Sequence, residues 1–179
     1  LFFKDVKITL VRNLLLYGII SALIVFFYIY SFRRIQHFMK LERESNDKLE
    51  RTNINVIRAL VRTIDAKDRY TNGHSVRVAE YAMEMAKRLG KSTEEQKVIY
   101  YAGLLHDVGK IRVPVEIINK PDKLTDEEFD QVKIHPVTGY HILKDIYDDK
   151  QIAMGVKFHH ERYDGKGYPS GLTEKNIPE

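Results

Sequence analysis

Seven histidines, at positions 37, 74, 106, 135, 141, 159 and 160, are the residues of this 179-residue chain whose type and context could do chemistry. A neutral imidazole suits borderline divalent metals, and a carboxylate adds an anionic oxygen donor. His106 and Asp107 place one donor of each kind side by side at the end of an apolar helical run, Val98–Leu105, where the partial negative charge of a helix C-terminus favours a nearby cation. The carboxylate is also free to bridge to a second cation. There are no cysteines, which excludes a disulfide framework and a thiolate zinc site and leaves nitrogen and oxygen as the only ligands. Taken singly, each residue has a plainer reading. A His-Asp dipeptide is common by chance, and His74 at a helix start, His135 before Pro136 and the tandem His159-His160 could each be capping or hydrogen-bonded histidines.

The elements that must position these groups are helices. Ile54, Ile57, Val61 and Ile64 share one helical face, widened by Val56 and Leu60, and mark the first helix of a packed domain. A second helix is predicted to begin around Thr71-Asn72-Gly73, to carry Val78, Ala82, Met85, Ala86 and Leu89, and to end at Gly90. Ser92-x-x-Glu95 and Thr125-x-x-Glu128 are capping boxes that open a third and a fourth helix, with Pro136 interrupting or restarting the fourth. No alternating strand pattern and no internal repeat occurs, so the predicted fold class is all-α.

Upstream, Leu14–Phe32 holds no charged residue and reads as a transmembrane helix, since crossing the hydrocarbon layer takes about 20 apolar residues. The alternatives are a buried core helix or the apolar region of a signal peptide, which is shorter at about 7–15 residues. Residues 1–13 are then juxtamembrane. Residues 33–53 form a polar, helical linker, and the domain runs from 54 to 179. Arg33, Arg34, Lys40 and Arg43 outweigh Lys4, Lys7 and Arg12 with Asp5, which places the C-terminal side in the cytoplasm. Tyr28, Tyr30 and Phe32 suit the membrane interface. The formal charge of +4 comes from basic residues spread along the chain, an argument against a nucleic-acid polymer as partner.

In combination the motifs are more specific. Gly73-His74-Ser75-Val76-Arg77-Val78, Leu104-Leu105-His106-Asp107-Val108-Gly109-Lys110, Ile134-His135-Pro136 and the run His159-His160-Glu161-Arg162-Tyr163-Asp164-Gly165-Lys166-Gly167-Tyr168-Pro169 resemble the HD superfamily of phosphohydrolases, and within it the HD-GYP phosphodiesterases. The resemblance covers about Ile54 to Glu179. It implies a bacterial signalling enzyme of the cytoplasmic membrane that hydrolyses cyclic di-GMP to the linear dinucleotide or GMP at a two-metal centre of iron or manganese. By that resemblance His74, His106 and Asp107 are metal ligands, Asp107 bridging, and His135, His159 and His160 complete the second metal. His37 and His141 match nothing and are expected to be structural or exposed.

Two cations about 3.5–4 Å apart would supply hydroxide near neutral pH and clamp the phosphoryl oxygens. Lys110 resembles the lysine that contacts the scissile phosphate, its alternative being a generic lysine that complements a helix end. Asp68 resembles an aspartate near the attacking water, with a surface or N-cap aspartate as the alternative. Gly167 and Tyr168 belong to a loop expected to border the cyclic dinucleotide, Tyr168 being able to stack on a base, and Gly167-Tyr168-Pro169 could touch a diguanylate cyclase. Read without the family, this is a turn with an exposed tyrosine.

Tyr70 stands where some members carry a glutamate that recruits a third metal, so two metals are expected. The chain begins at Leu1 and ends at Ile177-Pro178-Glu179, reading as an excerpt that stops before a further aspartate ligand and basic substrate contacts, and is expected to hydrolyse poorly by itself. A transmembrane helix continued into a linker suits a parallel homodimer. Two other readings stand beside the phosphodiesterase: a metal-retaining but non-catalytic interaction module, and a hydrolase of another nucleotide.

Overall fold

Helix α1 spans Phe2–Asp65, so the apolar segment, the polar linker and the first domain helix are continuous helix. The computed structural model describes residues 2–68, 73–146 and 150–178; the expected turn residues Thr71 and Asn72, and Tyr70, lie outside them. The chain divides into two compact units, residues 1–53 and 54–179. In the first unit the described side chains of α1 are exposed almost throughout, and Tyr28 and Phe32 stack one turn apart. By length and composition this helix could cross a membrane.

The second unit is all-α, as the sequence implies. After α1 come α2 (His74–Arg88), α3 (Thr93–Leu105), a 3-10 turn (Val108–Arg112), α4 (Val115–Ile118), α5 (Asp126–Lys133), α6 (His135–Leu143), α7 (Lys150–Phe158) and a second 3-10 turn (Glu174–Asn176). Among the described residues the only β pairing is an isolated bridge between Asp164 and Thr173. Both capping boxes form reciprocally, Ser92 with Glu95 and Thr125 with Glu128. Gly90, at φ 75°, ends α2: the Lys91 N–H reaches the Ala86 carbonyl and the Gly90 N–H the Lys87 carbonyl, the six-to-one and five-to-two pattern of a left-handed helix stop. Pro136 restarts the chain into α6, where its missing N–H falls in the first turn and costs no bond.

The core gathers Val61 of α1, Tyr100, Leu104 and Leu105 of α3, Leu143 of α6 and Ile152, Ala153 and Val156 of α7. Two expectations are corrected. Val56 and Leu60 are exposed, so the buried stripe of α1 is narrower than its apolar residues suggest. On α2, Met85 and Leu89 face solvent, and the buried face is Ser75, Ala79 and Ala86. Small residues win there because the helices approach closely: a Cβ on Gly103 of α3 would lie 3.0 Å from the Ala79 Cα.

The tightest approach brings the 3-10 turn against α6. A Cβ on Gly109 would collide with the His135 carbonyl oxygen and lie 2.7 Å from the Gly139 nitrogen, all of it backbone that cannot rotate away. Gly109→Ala is therefore expected to destabilise this unit by about 2–3 kcal/mol, lowering the melting midpoint by roughly 5–10 °C. Thermal melts followed by circular dichroism check this, and an unchanged midpoint would contradict the contact.

Candidate metal centre

Three helix ends converge on the site, and each delivers a histidine by the same local device. His106 follows the last residue of α3, His135 stands at the α5–α6 junction and His159 follows α7. In each, Nδ1 lies 2.7–2.8 Å from the carbonyl three residues earlier: Gly103, Val132 and Val156. Those carbonyls lie at helix ends, where intrahelical partners run out; with Nδ1–H donated to them, Nε2 of His135 and of His159 is left as a lone pair, while His106 Nε2 faces the Asp107 carboxylate. His106 and His135 are buried and His159 is half-buried.

The rings form a connected cluster. His74 lies 5.3 Å from His106 between centroids, His106 5.0 Å from His159, His159 5.2 Å from His135 and 4.2 Å from His160. Two groups of donor atoms fit a cation each: His74, His106 and Asp107, and His135, His159 and His160, with the atoms of each group within 4.8 Å of one another. Asp107 joins them. Its Oδ2 lies 3.1 Å from His106 Nε2 and its Oδ1 3.4 Å from His135 Nε2, so one carboxylate turns an oxygen to each group.

The electrostatics fit a cation. Burial, followed by the neighbouring imidazoles His160, His106 and His135, pushes the His159 pKa down to about 3; burial and then His135 push His160 down to about 4. His135 is lowered by burial despite its bond to Val132 and the nearby Asp107. These three are neutral at pH 7 and present lone pairs. Burial acts most strongly against charge on His106, but the hydrogen bond and negative charge of Asp107 together with the Gly103 carbonyl outweigh it and raise that pKa. For Asp107 burial opposes ionisation, and His106 and Lys110 override it, holding the carboxyl far below its ordinary range. His135 Nε2 and His159 Nε2 are 3.3 Å apart. With both protons on Nδ1, two lone pairs face each other, an arrangement that a shared cation relieves. The donor set therefore fits divalent metal.

Among the described residues, the predicted metal ligands, Lys110, Asp68, Gly167 and Tyr168 are found at or beside this cluster, and His37 and His141 are exposed. Lys110, in the 3-10 turn, sets Nζ 2.8 Å from Asp107 and 3.4 Å from Asp68. Asp68 is buried and next to Lys110, so the surface alternative is corrected, and the N-cap of α2 is Gly73. Asp65 takes over the capping, accepting from the Ser75 hydroxyl at 2.7 Å and the Ser75 N–H at 3.4 Å.

Tyr168 is not an exposed turn residue. It is half-buried, stacked on His160 at 4.5 Å and edge-on to Phe129 at 6.3 Å, with its pKa raised to about 12 by burial and then by Asp107. Gly167 presses against the backbone of residues 160–162, leaving no room for a Cβ. Glu161 staples the loop by accepting from the N–H groups of Ser170 and Leu172. A cavity of about 630 Å³ opens beside the cluster, lined by His159, His160, Lys133, Lys166 and Tyr168 among others.

The geometry thus defines an all-helical protein with a candidate two-cation centre of nitrogen and oxygen donors. The HD domain family model matches residues 58–179, well over half the chain, so the chain belongs to the HD domain family. That family is metal-dependent, and the match agrees with the resemblance read from the motifs. Among curated relatives, a 3'3'-cGAMP-specific phosphodiesterase 1 of Vibrio cholerae is 39% identical over 63% of this chain and 26% of its own length. The cyclic di-GMP phosphodiesterase response regulator RpfG of Xanthomonas campestris is 37% identical over 80% of this chain and 39% of its own. A cyclic di-GMP phosphodiesterase of Pseudomonas aeruginosa is 42% identical over 69% and 30%. The chain thus spans between 26% and 39% of the length of these relatives.

Metal binding to the folded state should stabilise it by about 2.7 kcal/mol at a hundredfold excess over Kd. Manganese added to metal-free full-length protein is accordingly expected to raise the melting temperature, and Asp107→Asn to abolish the rise. An equal rise in the variant, read by scanning calorimetry, would place the cation elsewhere.

Proposed function

We propose that this chain carries the centre of a bacterial phosphodiesterase that hydrolyses cyclic di-GMP to the linear dinucleotide or GMP. The observation that carries the reading is the single carboxylate of Asp107 facing two histidine groups. Names of relatives at 37% and 42% identity support the substrate class. In this reading His74, His106 and Asp107 hold one divalent cation and His135, His159 and His160 the other, iron or manganese, with Asp107 shared. Such a pair supplies Lewis acidity toward phosphoryl oxygens and a nucleophile from water near neutral pH.

The protein's own groups do the rest. Lys110, held between Asp107 and Asp68, places an ammonium where a scissile phosphate gains charge. Asp68 stands at the edge of that space to orient water or the leaving oxygen. Tyr168, through its stacking on His160, and Gly167 border the substrate. The retention of His74, His106, Asp107, His135, His159 and His160 together with Lys110 argues against a metal-retaining but non-catalytic module, which has no need to keep every one.

Residues 14–32 cross the cytoplasmic membrane in this proposal. Residues 33–53 relay a signal, and the domain from residue 54 faces the cytoplasm, dimerising in parallel and meeting a diguanylate cyclase through Gly167-Tyr168-Pro169. The exposed apolar face of α1 supports this placement, because in water it would cost burial that a membrane supplies.

A second reading, 3'3'-cGAMP as the substrate, is favoured by the relative at 39% identity named for it. Both dinucleotides, offered separately to metal-loaded full-length protein, distinguish the two by kcat/KM. Asp107→Ala is expected to lower turnover by more than about 10²-fold, since even the partners of metal ligands cost about 10–100-fold. Turnover of neither dinucleotide by the wild type, or full activity in the variant, would overturn the proposal.

A further inference from the structure

We infer that Lys67 is a positioning residue: its ammonium holds the backbone of the 3-10 turn that presents Lys110 to the metal centre. Its Nζ donates to three carbonyls of that turn and its exit, those of Lys110 at 3.3 Å, Ile111 at 3.0 Å and Val113 at 2.6 Å. A 3-10 turn has poorer hydrogen-bond geometry than an α-helix and leaves carbonyls without partners at its end. An ammonium has three donors, and here all three are directed at that end.

Lys67 is itself fixed. Its N–H reaches the Ile64 carbonyl at 3.0 Å, at the last turn of α1, and its own carbonyl accepts from Asn119 Nδ2 at 2.7 Å. The next residue, Asp68, faces the Lys110 ammonium. Adjacent residues thus grip Lys110 twice, Lys67 by its backbone and Asp68 by its side chain. The turn starts at Val108, directly after Asp107, so the grip bears on the shared carboxylate as well. Lys67 lies two residues past the end of α1 and so ties that helix end to the turn that carries Lys110.

The consequence for turnover rests on the proposed function, in which Lys110 meets the phosphate; the consequence for the turn does not. Lys67→Met removes the donors and keeps the aliphatic stem. It is expected to lower kcat about 10²-fold, the effect of misplacing a catalytic group by about 1 Å, with a smaller change in KM. In a Lys110→Ala background the same substitution is expected to have little further effect, because its action passes through Lys110. Additive losses, or wild-type kcat in Lys67→Met, would overturn the inference. Amide hydrogen exchange over residues 108–113 reads the coupling without turnover. It should quicken in Lys67→Met and stay slow in Lys110→Ala, and unchanged exchange in Lys67→Met would sink the inference whatever the enzyme's activity. Inactive wild type with the expected exchange pattern would count against the proposed function alone. Should Lys67→Met fail to fold, Lys67→Gln, which keeps an amide donor, carries the same comparisons.

Discussion

A buried carboxylate must be paired, and Lys110 and His106 pair the Asp107 carboxylate. One oxygen faces His106 and Lys110 and the other faces His135. Taking such a charge out of water is costly unless its partners are held in place, so the chain segments that deliver those partners must meet at one point. The end of α3, the 3-10 turn and the start of α6 do so, and the missing side chain of Gly109 lets the turn settle against the α6 backbone. The small buried face of α2 belongs to the same constraint, since it allows α2 to lie close on α3 and brings His74 within reach of His106.

Helix ends suit this task for a second reason. Three C-terminal carbonyls that would otherwise want partners each accept from the Nδ1–H of an imidazole and fix its ring, and the negative ends of the same helices favour a cation nearby. Burial keeps His135, His159 and His160 neutral, so that the centre gathers lone pairs without gathering positive charge of its own. Tyr168 covers one face of His160 and closes the cluster on that side.

Much of this was legible in the chain. The capping boxes at Ser92 and Thr125, the stop at Gly90 and the restart at Pro136 are local signals, decided within a few residues, and each forms as read. The histidines and Asp107 were legible as a set because their types and neighbours are unusual together. What depends on tertiary packing was not. Size misleads on α2, where close approach selects Ser75, Ala79 and Ala86 over Met85 and Leu89. Lys67 looks like any surface lysine until the 3-10 turn is seen to lie under its ammonium, and the ring of Tyr168 finds His160 only once the loop is folded.

In the proposed function Asp107 is shared by two cations. Electron paramagnetic resonance of the manganese-loaded full-length protein tests it most directly, because ions bridged by one carboxylate are exchange-coupled. The broadened, temperature-dependent spectrum of a coupled pair is expected in the wild type, reduced to that of isolated ions in Asp107→Asn. Isolated-ion spectra from a wild type that holds two manganese ions per chain would contradict it.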